Sequence, residues 1–174
     1  MSNYSNRQHV VLRATSGTAR RVGGVGRPRA VDSDARWPAI TKVLADLREA
    51  GRCSVRIIDS DCGTGALLVH VAQYARSLGF TAVEARGIDG APALITRARA
   101  AAVRACDPGI GFRFETADLL EALEEEAAFP ADIVLWHGRP AAFENRLVLS
   151  ALQRAGVHLI VEDDRYATAS KPRR

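Results

Sequence analysis

The residues whose types and spacing could do chemistry lie where a short apolar stretch runs into a glycine-rich turn. Residues 55–58 are apolar apart from one arginine, and Asp59, Asp61, Gly63 and Gly65 follow them. Glycine lets a backbone turn sharply and approach a ligand closely, and the N–H groups that open a following helix attract negative charge. In doubly wound α/β folds a turn of this kind after the first strand binds nucleotides. The sequence therefore predicts a nucleotide-binding loop over 59–65.

The spacing of the glycines bears on the kind of nucleotide. A dinucleotide-binding fingerprint needs a third glycine where Leu68 stands, which argues against NAD. Residues 59–65 instead resemble the DxGxGxG motif of class I S-adenosylmethionine (SAM)-dependent methyltransferases, with Asp61 in place of the motif's first glycine. A carboxylate at Asp61 would attract the ammonium and sulfonium groups of SAM and repel its carboxylate. Asp59 either orients the glycine loop, as its counterpart does in that family, or only terminates the strand.

Two later segments extend this resemblance. Asp89 lies 24 residues beyond Gly65 and resembles the acidic residue that holds the ribose hydroxyls of SAM in the family. Its alternative role is to cap the helix that is expected to begin near Pro92. Asp118 and Leu119 resemble the family's adenine-contacting turn after the third strand. Asp118 is equally well interpreted as the N-cap of the next helix.

A third segment, 132–137, resembles the family motif that delivers groups toward the methyl donor. Trp136 either walls the nucleotide pocket or belongs to the ordinary core. His137 is the one imidazole near the expected donor site, which makes it the candidate general base. Arg139 either contacts an anionic substrate or is a surface loop charge.

The resemblance implies that SAM is the cofactor and that the protein transfers its methyl group to an acceptor. The sequence does not name the acceptor, and it favours a small molecule over a nucleic acid. The alternative is a catalytically silent domain of the same fold that acts as a ligand sensor or an interaction module.

Apolar periodicity predicts the elements that position these residues. The expected helices cover about 34–50, 65–78, 92–105, 119–128 and 141–155, and the expected strands cover 55–58, 81–88, 112–114, 131–136 and 157–161. This alternation is typical of an α/β doubly wound fold with a mostly parallel sheet of about five strands and helices on both faces. His70 is expected to be structural. A solvated helix face is expected to hold Glu121, Glu124, Glu125 and Glu126.

The sequence ends soon after the fifth expected strand, so the strand 6/7 hairpin that usually follows in the family is expected to be missing. Residues 157–161 would then form a bare apolar edge, which natural sheets seldom leave uncovered. Three covers are open: residues 9–13 of the same chain, with 10–12 as their apolar centre, the tail after Asp163, or the same edge of a second copy. We favour the last of these, a homodimer.

The charge is distributed unevenly along the chain. Residues 1–31 hold six arginines and no acidic residue, whereas residues 32–170 hold 15 basic and 20 acidic residues, a net charge of −5. An acidic folded part disfavours nucleic-acid binding. The expected organisation is a flexible Arg/Gly-rich arm over 1–32, a Rossmann-like SAM-binding domain over 33–165 and a basic polar tail over 166–174. Deleting residues 1–30 is expected to leave the thermal midpoint nearly unchanged.

Scattered cysteines and histidines exclude the spacings of zinc sites and of disulfide frameworks. Cys53, Cys62 and Cys106 are expected to be reduced thiols, and no metal is expected. No apolar stretch reaches the roughly 18 residues that span a bilayer, so a cytoplasmic protein is expected.

Overall fold

The computed structural model describes residues 10–14, 34–138 and 146–162. The helices are α1 (Trp37–Glu49), α2 (Ala66–Ser77), α3 (Pro92–Ala105), α4 (Leu119–Ala127) and α5 (Arg146–Ala155). The strands are β1 (Val10–Ala14), β2 (Ser54–Ser60), β3 (Ala82–Asp89), β4 (Ile110–Thr116), β5 (Ala131–Trp136) and β6 (Gly156–Glu162). The predicted order of helices and strands from residue 34 onward is confirmed, while 141–145 of the last expected helix lie outside the described residues.

The sheet is parallel and its strand order is β1-β6-β5-β2-β3-β4. From β2 the chain builds outward through β3 to β4, and it then returns to the other side of β2 to form β5 and β6. The switch point of the doubly wound sheet therefore lies between β2 and β5, where Ser60 pairs with Trp136. Ligands of such sheets bind beside this point, at the carboxyl ends of the strands.

Both faces of the sheet are covered, which confirms the predicted doubly wound architecture. Successive residues of a strand point to opposite faces, so Ile57 and Ile58 enter two different cores. The core on the side of α1, α2 and α3 includes Ile40, Leu44, Leu68, Val71, Ile95, Ile133 and Leu135. The core on the side of α4 and α5 includes Ala122, Leu123, Val134, Trp136, Leu152 and Leu159.

The edge of β6 is covered by the chain itself. Val10 to Ala14 pair in register with His158 to Glu162, so β1 takes the first of the three covers that the sequence left open. These five residues of the expected flexible arm therefore form a sixth strand, because the unpaired N–H and C=O groups of β6 give them hydrogen-bond partners. The homodimer stays a prediction, but the bare edge that motivated it is paired within the chain.

One acidic residue of α4 departs from the predicted solvated face. Glu126 is 2% exposed, and its carboxylate makes ion pairs with Arg56 (2.6 Å) and Arg86 (2.8 Å). The prediction is wrong for this position because two arginines of the sheet extend beneath the helix and hold the carboxylate against β2 and β3. Glu121, Glu124 and Glu125 are exposed as expected.

The three cysteines are unpaired thiols, with Cys62 buried and the other two exposed. Within the part of the chain that the structure describes, no helix is long and apolar enough to cross a membrane.

Candidate nucleotide site and its polar neighbour

The glycine loop connects β2 to α2 and is held by hydrogen bonds to the end of β3. The N–H of Cys62 donates to the carbonyl of Ile88 (2.9 Å), and the N–H of Gly63 donates to the Asp89 carboxylate (3.0 Å). The loop is thus fastened to the neighbouring strand at the carboxyl edge of the sheet, where the sequence placed it.

Asp61 has a left-handed backbone conformation, like the two glycines that follow it in the loop. Its φ is +69°, and Gly63 and Gly65 have φ values of +57° and +71°. Aspartate is one of the few non-glycine residues that adopt this left-handed region at modest cost. Asp61 therefore fits the turn of the loop and places a carboxylate beside the cleft.

The structure assigns Gly65 a packing role that the sequence did not predict. A Cβ atom on Gly65 would lie 2.7 Å from the Phe114 ring and 2.9 Å from the Cβ of Ala98. A Cβ atom on Gly87 would lie 2.5 Å from the same ring. Glycine at 65 therefore admits the Phe114 side chain behind the loop, whereas a Cβ on Gly63 would meet nothing within 4 Å.

A cleft of about 790 Å³ opens at the carboxyl ends of the strands. Its described lining consists of Asp61, Ile88, Asp89, Gly90, Ala91, Thr116, Ala117, Asp118, Leu119 and Trp136. Five predicted site residues therefore meet in one cleft: Asp61, Asp89, Asp118, Leu119 and Trp136. The other predicted site residues, Asp59, Gly63, Gly65 and His137, are not part of this lining.

Asp89 accepts two backbone N–H groups beside the cleft, but it does not cap α3, whose N-cap is Ala91; its contact with ribose stays a prediction. One oxygen accepts the Gly63 N–H, and the other accepts the N–H of Ala91 (2.7 Å) directly before α3. The residue is 6% exposed and lines the cleft. Because a carboxylate has about four acceptor positions, two of them remain for a ligand.

Asp118 is the N-cap of α4. Its Oδ1 accepts the N–H groups of Leu120 (2.9 Å) and Glu121 (3.1 Å), as the capping alternative predicted. The residue also lines the cleft beside Leu119, and its Oδ2 takes no part in either capping bond. Trp136 is 2% exposed within the core, as one alternative predicted, and it also borders the cleft.

Oδ1 of Asp59 makes no hydrogen bond to the glycine loop. This atom is buried without a hydrogen-bond partner, and Asp89 supplies the carboxylate that holds the loop. Burial raises the pKa of Asp59 to about 7, and the nearby Arg36 guanidinium limits that rise. The carboxylates of Asp34, Asp61 and Asp89 act in the same direction as burial, because each disfavours a further negative charge.

Arg36, directly before α1, is the centre of a polar cluster next to Asp59. Its guanidinium makes a two-pronged contact with Asp34, through Nε (3.0 Å) and Nη2 (2.9 Å). Burial acts to raise the pKa of Asp34, but the hydrogen bonds and charge of Arg36 outweigh it and hold that pKa below its usual value. Asp34 does not cap α1, whose N-cap is Arg36.

His137 belongs to this cluster and is engaged at both ring nitrogens. Its Nδ1 lies 2.7 Å from Oε2 of Glu162, and its Nε2 lies 3.2 Å from Nη2 of Arg36. Because arginine has no acceptor, Nε2 of the neutral ring accepts and Nδ1 carries the hydrogen toward Glu162. The predicted general base is therefore oriented, but its lone pair points at a guanidinium.

Potential ligand atoms of Asp34, His137 and Glu162 lie within 4.8 Å of one another, the spacing of a metal site. The Arg36 guanidinium contacts two of these three side chains. The positive charge of Arg36 thus already lies beside the carboxylate and imidazole that a metal ion would need as ligands.

Sequence reasoning missed Arg36 and Glu162. Glu162 carries a signal that could have found it, since it directly follows the apolar residues of the last strand as Asp59 and Asp89 follow theirs. Arg36 carries no such signal, because its position depends on how α1 packs over the sheet. Arg139 lies outside the described residues.

Comparisons with known proteins give likenesses of structure alone. No family model matches the chain, and no curated protein matches it. A magnesium protoporphyrin IX methyltransferase from Synechocystis PCC 6803, solved with bound S-adenosylhomocysteine, is 21% identical, with 74% of this chain and 56% of that chain covered and a TM-score of 0.43. A SAM-dependent methyltransferase from Agrobacterium tumefaciens is 17% identical, with coverages of 60% and 32% and a TM-score of 0.43.

The chain spans less than two thirds of the length of either protein. Its core order β4-β3-β2-β5-β6 is the 3-2-1-4-5 order of a Rossmann-like methyltransferase core. The predicted resemblance to class I SAM-dependent methyltransferases is thereby confirmed as a structural match at low identity. Because both TM-scores are below 0.5, the chemistry of the site rests on this chain's own residues.

Proposed function

We propose that the cleft binds SAM and that the protein is a SAM-dependent methyltransferase. The observation that carries this proposal is the joint placement of Asp89 and Asp118 at the ends of the neighbouring strands β3 and β4, in one cleft with the glycine loop. The cleft is also of suitable size, since pockets for small ligands and cofactors typically enclose roughly 300 to 1,000 Å³.

Each residue has a part in holding the nucleoside. Asp89 accepts hydrogen bonds from the ribose hydroxyls at its two remaining acceptor positions. Oδ2 of Asp118 accepts from the adenine amine while Oδ1 continues to cap α4. The apolar side chains of Ile88, Leu119 and Trp136 exclude water from the base. SAM supplies the electrophilic methyl group, so the protein's task is to bind it and position an acceptor.

The replacement Asp118→Asn separates ligand binding from helix capping. Asparagine caps a helix about as well as aspartate, so the thermal midpoint should stay unchanged. The amide cannot offer the adenine amine the same charged acceptor, so calorimetric titration should show S-adenosylhomocysteine binding weakened roughly tenfold. The matched control is Asp46→Asn, at an exposed acidic position on α1. Failure of the unaltered protein to bind either SAM or S-adenosylhomocysteine would contradict the proposal.

A catalytically silent ligand sensor is the second candidate, and one observation favours it. Nε2 of His137 faces Arg36, so the candidate base is not free to take a proton in this arrangement. Formation of S-adenosylhomocysteine from SAM in the presence of small-molecule acceptors decides between the two. Tight binding without turnover on hydroxyl, amine and thiol acceptors supports the sensor.

A further inference from the structure

The charged side chains in the described lining of the cleft are all negative. Asp61, Asp89 and Asp118 are acidic, and none of the other described lining residues is a lysine, an arginine or a histidine. The guanidinium of Arg36 makes its two-pronged contact with Asp34 and does not belong to this lining. A ligand with a positive charge is therefore favoured in the cleft over a neutral ligand of the same shape.

Two of the three carboxylates already have a part in the proposed nucleoside binding. Asp89 holds two backbone N–H groups and Asp118 caps α4, and their remaining acceptor positions serve neutral hydroxyl and amine groups. Asp61 is the lining carboxylate that this recognition does not use. Its charge therefore remains to be matched with a part of the ligand.

Asp61 lies at the switch point of the sheet and is half-buried. It directly follows Ser60, which pairs with Ile88 of β3 on one side and with Trp136 of β5 on the other, and both of these neighbours line the cleft. The charge of Asp61 also acts inside the protein. Burial is the main cause of the raised pKa of Asp59, and the Asp61 carboxylate adds to that rise.

The strand order gives Asp61 its place along a bound nucleoside. If Asp118 after β4 holds the base and Asp89 at the end of β3 holds the ribose, the next strand end is that of β2, directly before Asp61. Adjacent strands are about 4.8 Å apart, so the ends of β4 and β2 are separated by about 10 Å. The atom bonded to the ribose 5′ carbon then lies toward Asp61. In SAM this atom is a positively charged sulfonium sulfur, whereas in S-adenosylhomocysteine it is a neutral thioether sulfur.

We propose that Asp61 is a specificity-determining residue that makes the cleft select sulfonium nucleosides over the corresponding thioethers. The inference rests on the proposed function. SAM and S-adenosylhomocysteine have the same base, ribose and amino-acid end, so the contacts of those groups cancel when the two ligands are compared. The difference that remains is the methyl group and the charge on sulfur, and the Asp61 carboxylate attracts that charge. Such a site holds the methyl donor more tightly than the product that remains after transfer.

The experiment compares two pairs of ligands by calorimetric titration of the unaltered protein. The first pair is SAM and S-adenosylhomocysteine, and the second is 5′-methylthioadenosine and its S-methylated sulfonium, which both lack the amino-acid end. The sulfonium of each pair should bind roughly 5- to 30-fold more tightly than the thioether. Because the cleft is open to solvent, this preference should shrink as the salt concentration rises.

Two replacements of Asp61 remove its charge and keep the backbone of the loop. Asparagine and glycine both adopt the left-handed region that the φ of +69° requires, so Asp61→Asn and Asp61→Gly should both fold. In each variant the affinities for SAM and S-adenosylhomocysteine should differ by less than about twofold. The matched control is Asp118→Asn, which removes a lining carboxylate at the base end of the cleft. It should weaken both ligands by a similar factor and keep their ratio.

The outcomes separate this inference from the proposed function. Equal affinities for SAM and S-adenosylhomocysteine in the unaltered protein would overturn the selection by charge while leaving nucleoside binding intact. A sulfonium preference that survives in both Asp61 variants would also overturn it, because another group would then supply the negative charge. No binding of any of the four ligands would overturn the proposed function and this inference together.

Discussion

The Asp89 carboxylate accepts the backbone N–H of Gly63 at 3.0 Å, which ties the end of β3 to the glycine loop after β2. The same carboxylate also fixes the chain before α3, through Ala91. A residue that the sequence suggested for ligand contact or for capping thus joins three segments of the chain at the cleft. One side chain therefore couples the geometry of the glycine loop to the lining of the cleft.

Phe114 and the two glycines around its ring give a prediction about stability. Gly87→Ala places a Cβ atom 2.5 Å from the ring and should lower the free energy of unfolding by roughly 1–3 kcal/mol, measured by urea denaturation. In the double variant Gly87→Ala/Phe114→Leu, the smaller side chain at 114 should remove most of the destabilisation that Gly87→Ala causes.

Gly65→Ala serves as the contrasting variant. Phe114→Leu should restore the free energy of unfolding of Gly65→Ala only in part, because an alanine at φ +71° remains strained after the clash with the ring is relieved. Additive effects in the Gly87→Ala/Phe114→Leu cycle would show that the ring is not the cause.

The pairing of β1 with β6 predicts that residues 10–14 contribute to stability, contrary to the expectation from the sequence that the arm is dispensable for it. Deleting 1–14 removes β1 and bares the edge of β6, so the thermal midpoint should fall by roughly 4–10 °C. The truncated protein should also self-associate through the exposed edge, as size-exclusion chromatography would show. Deleting only 1–9 retains β1 and is the matched control. Equal midpoints for the two truncations would mean that β1 adds nothing to the fold.

The raised pKa of Asp59 predicts that the stability of the protein depends on pH. Its pKa is raised from 3.8 to about 7, mainly by burial, with Arg36 opposing the rise and Asp34, Asp61 and Asp89 adding to it. Between about pH 4 and pH 7 the unfolded chain has lost this proton while the native protein keeps it, so stability falls as the pH rises and levels off above pH 7. The contribution lost over this range is at most roughly 4 kcal/mol.

The comparison that isolates this effect is Asp59→Asn, which cannot titrate. Urea denaturation at pH 5, 6, 7 and 8 should show the variant gaining stability relative to the unaltered protein as the pH increases. If the free energies of unfolding of the two proteins changed with pH by the same amount over this range, Asp59 would be excluded as the titrating group.

The sequence by itself determined the order of the helices and strands from residue 34 onward and the placement of Asp61, Asp89 and Asp118 at one edge. These features are local, since periodicity sets the type of each element and an acidic residue after a parallel strand lies at the carboxyl edge of the sheet.

Only the tertiary structure decided which distant residues meet. Arg36 reaches His137 across 101 positions of the chain, Phe114 fills the space behind Gly65 and Gly87, and β1 pairs with a strand almost 150 residues away. No local spacing encodes such contacts, because they depend on which strands become neighbours and on how α1 packs over the sheet. The buried charges of Arg36 and Asp59 arise from that packing, and they would be solvated in any isolated segment of the chain.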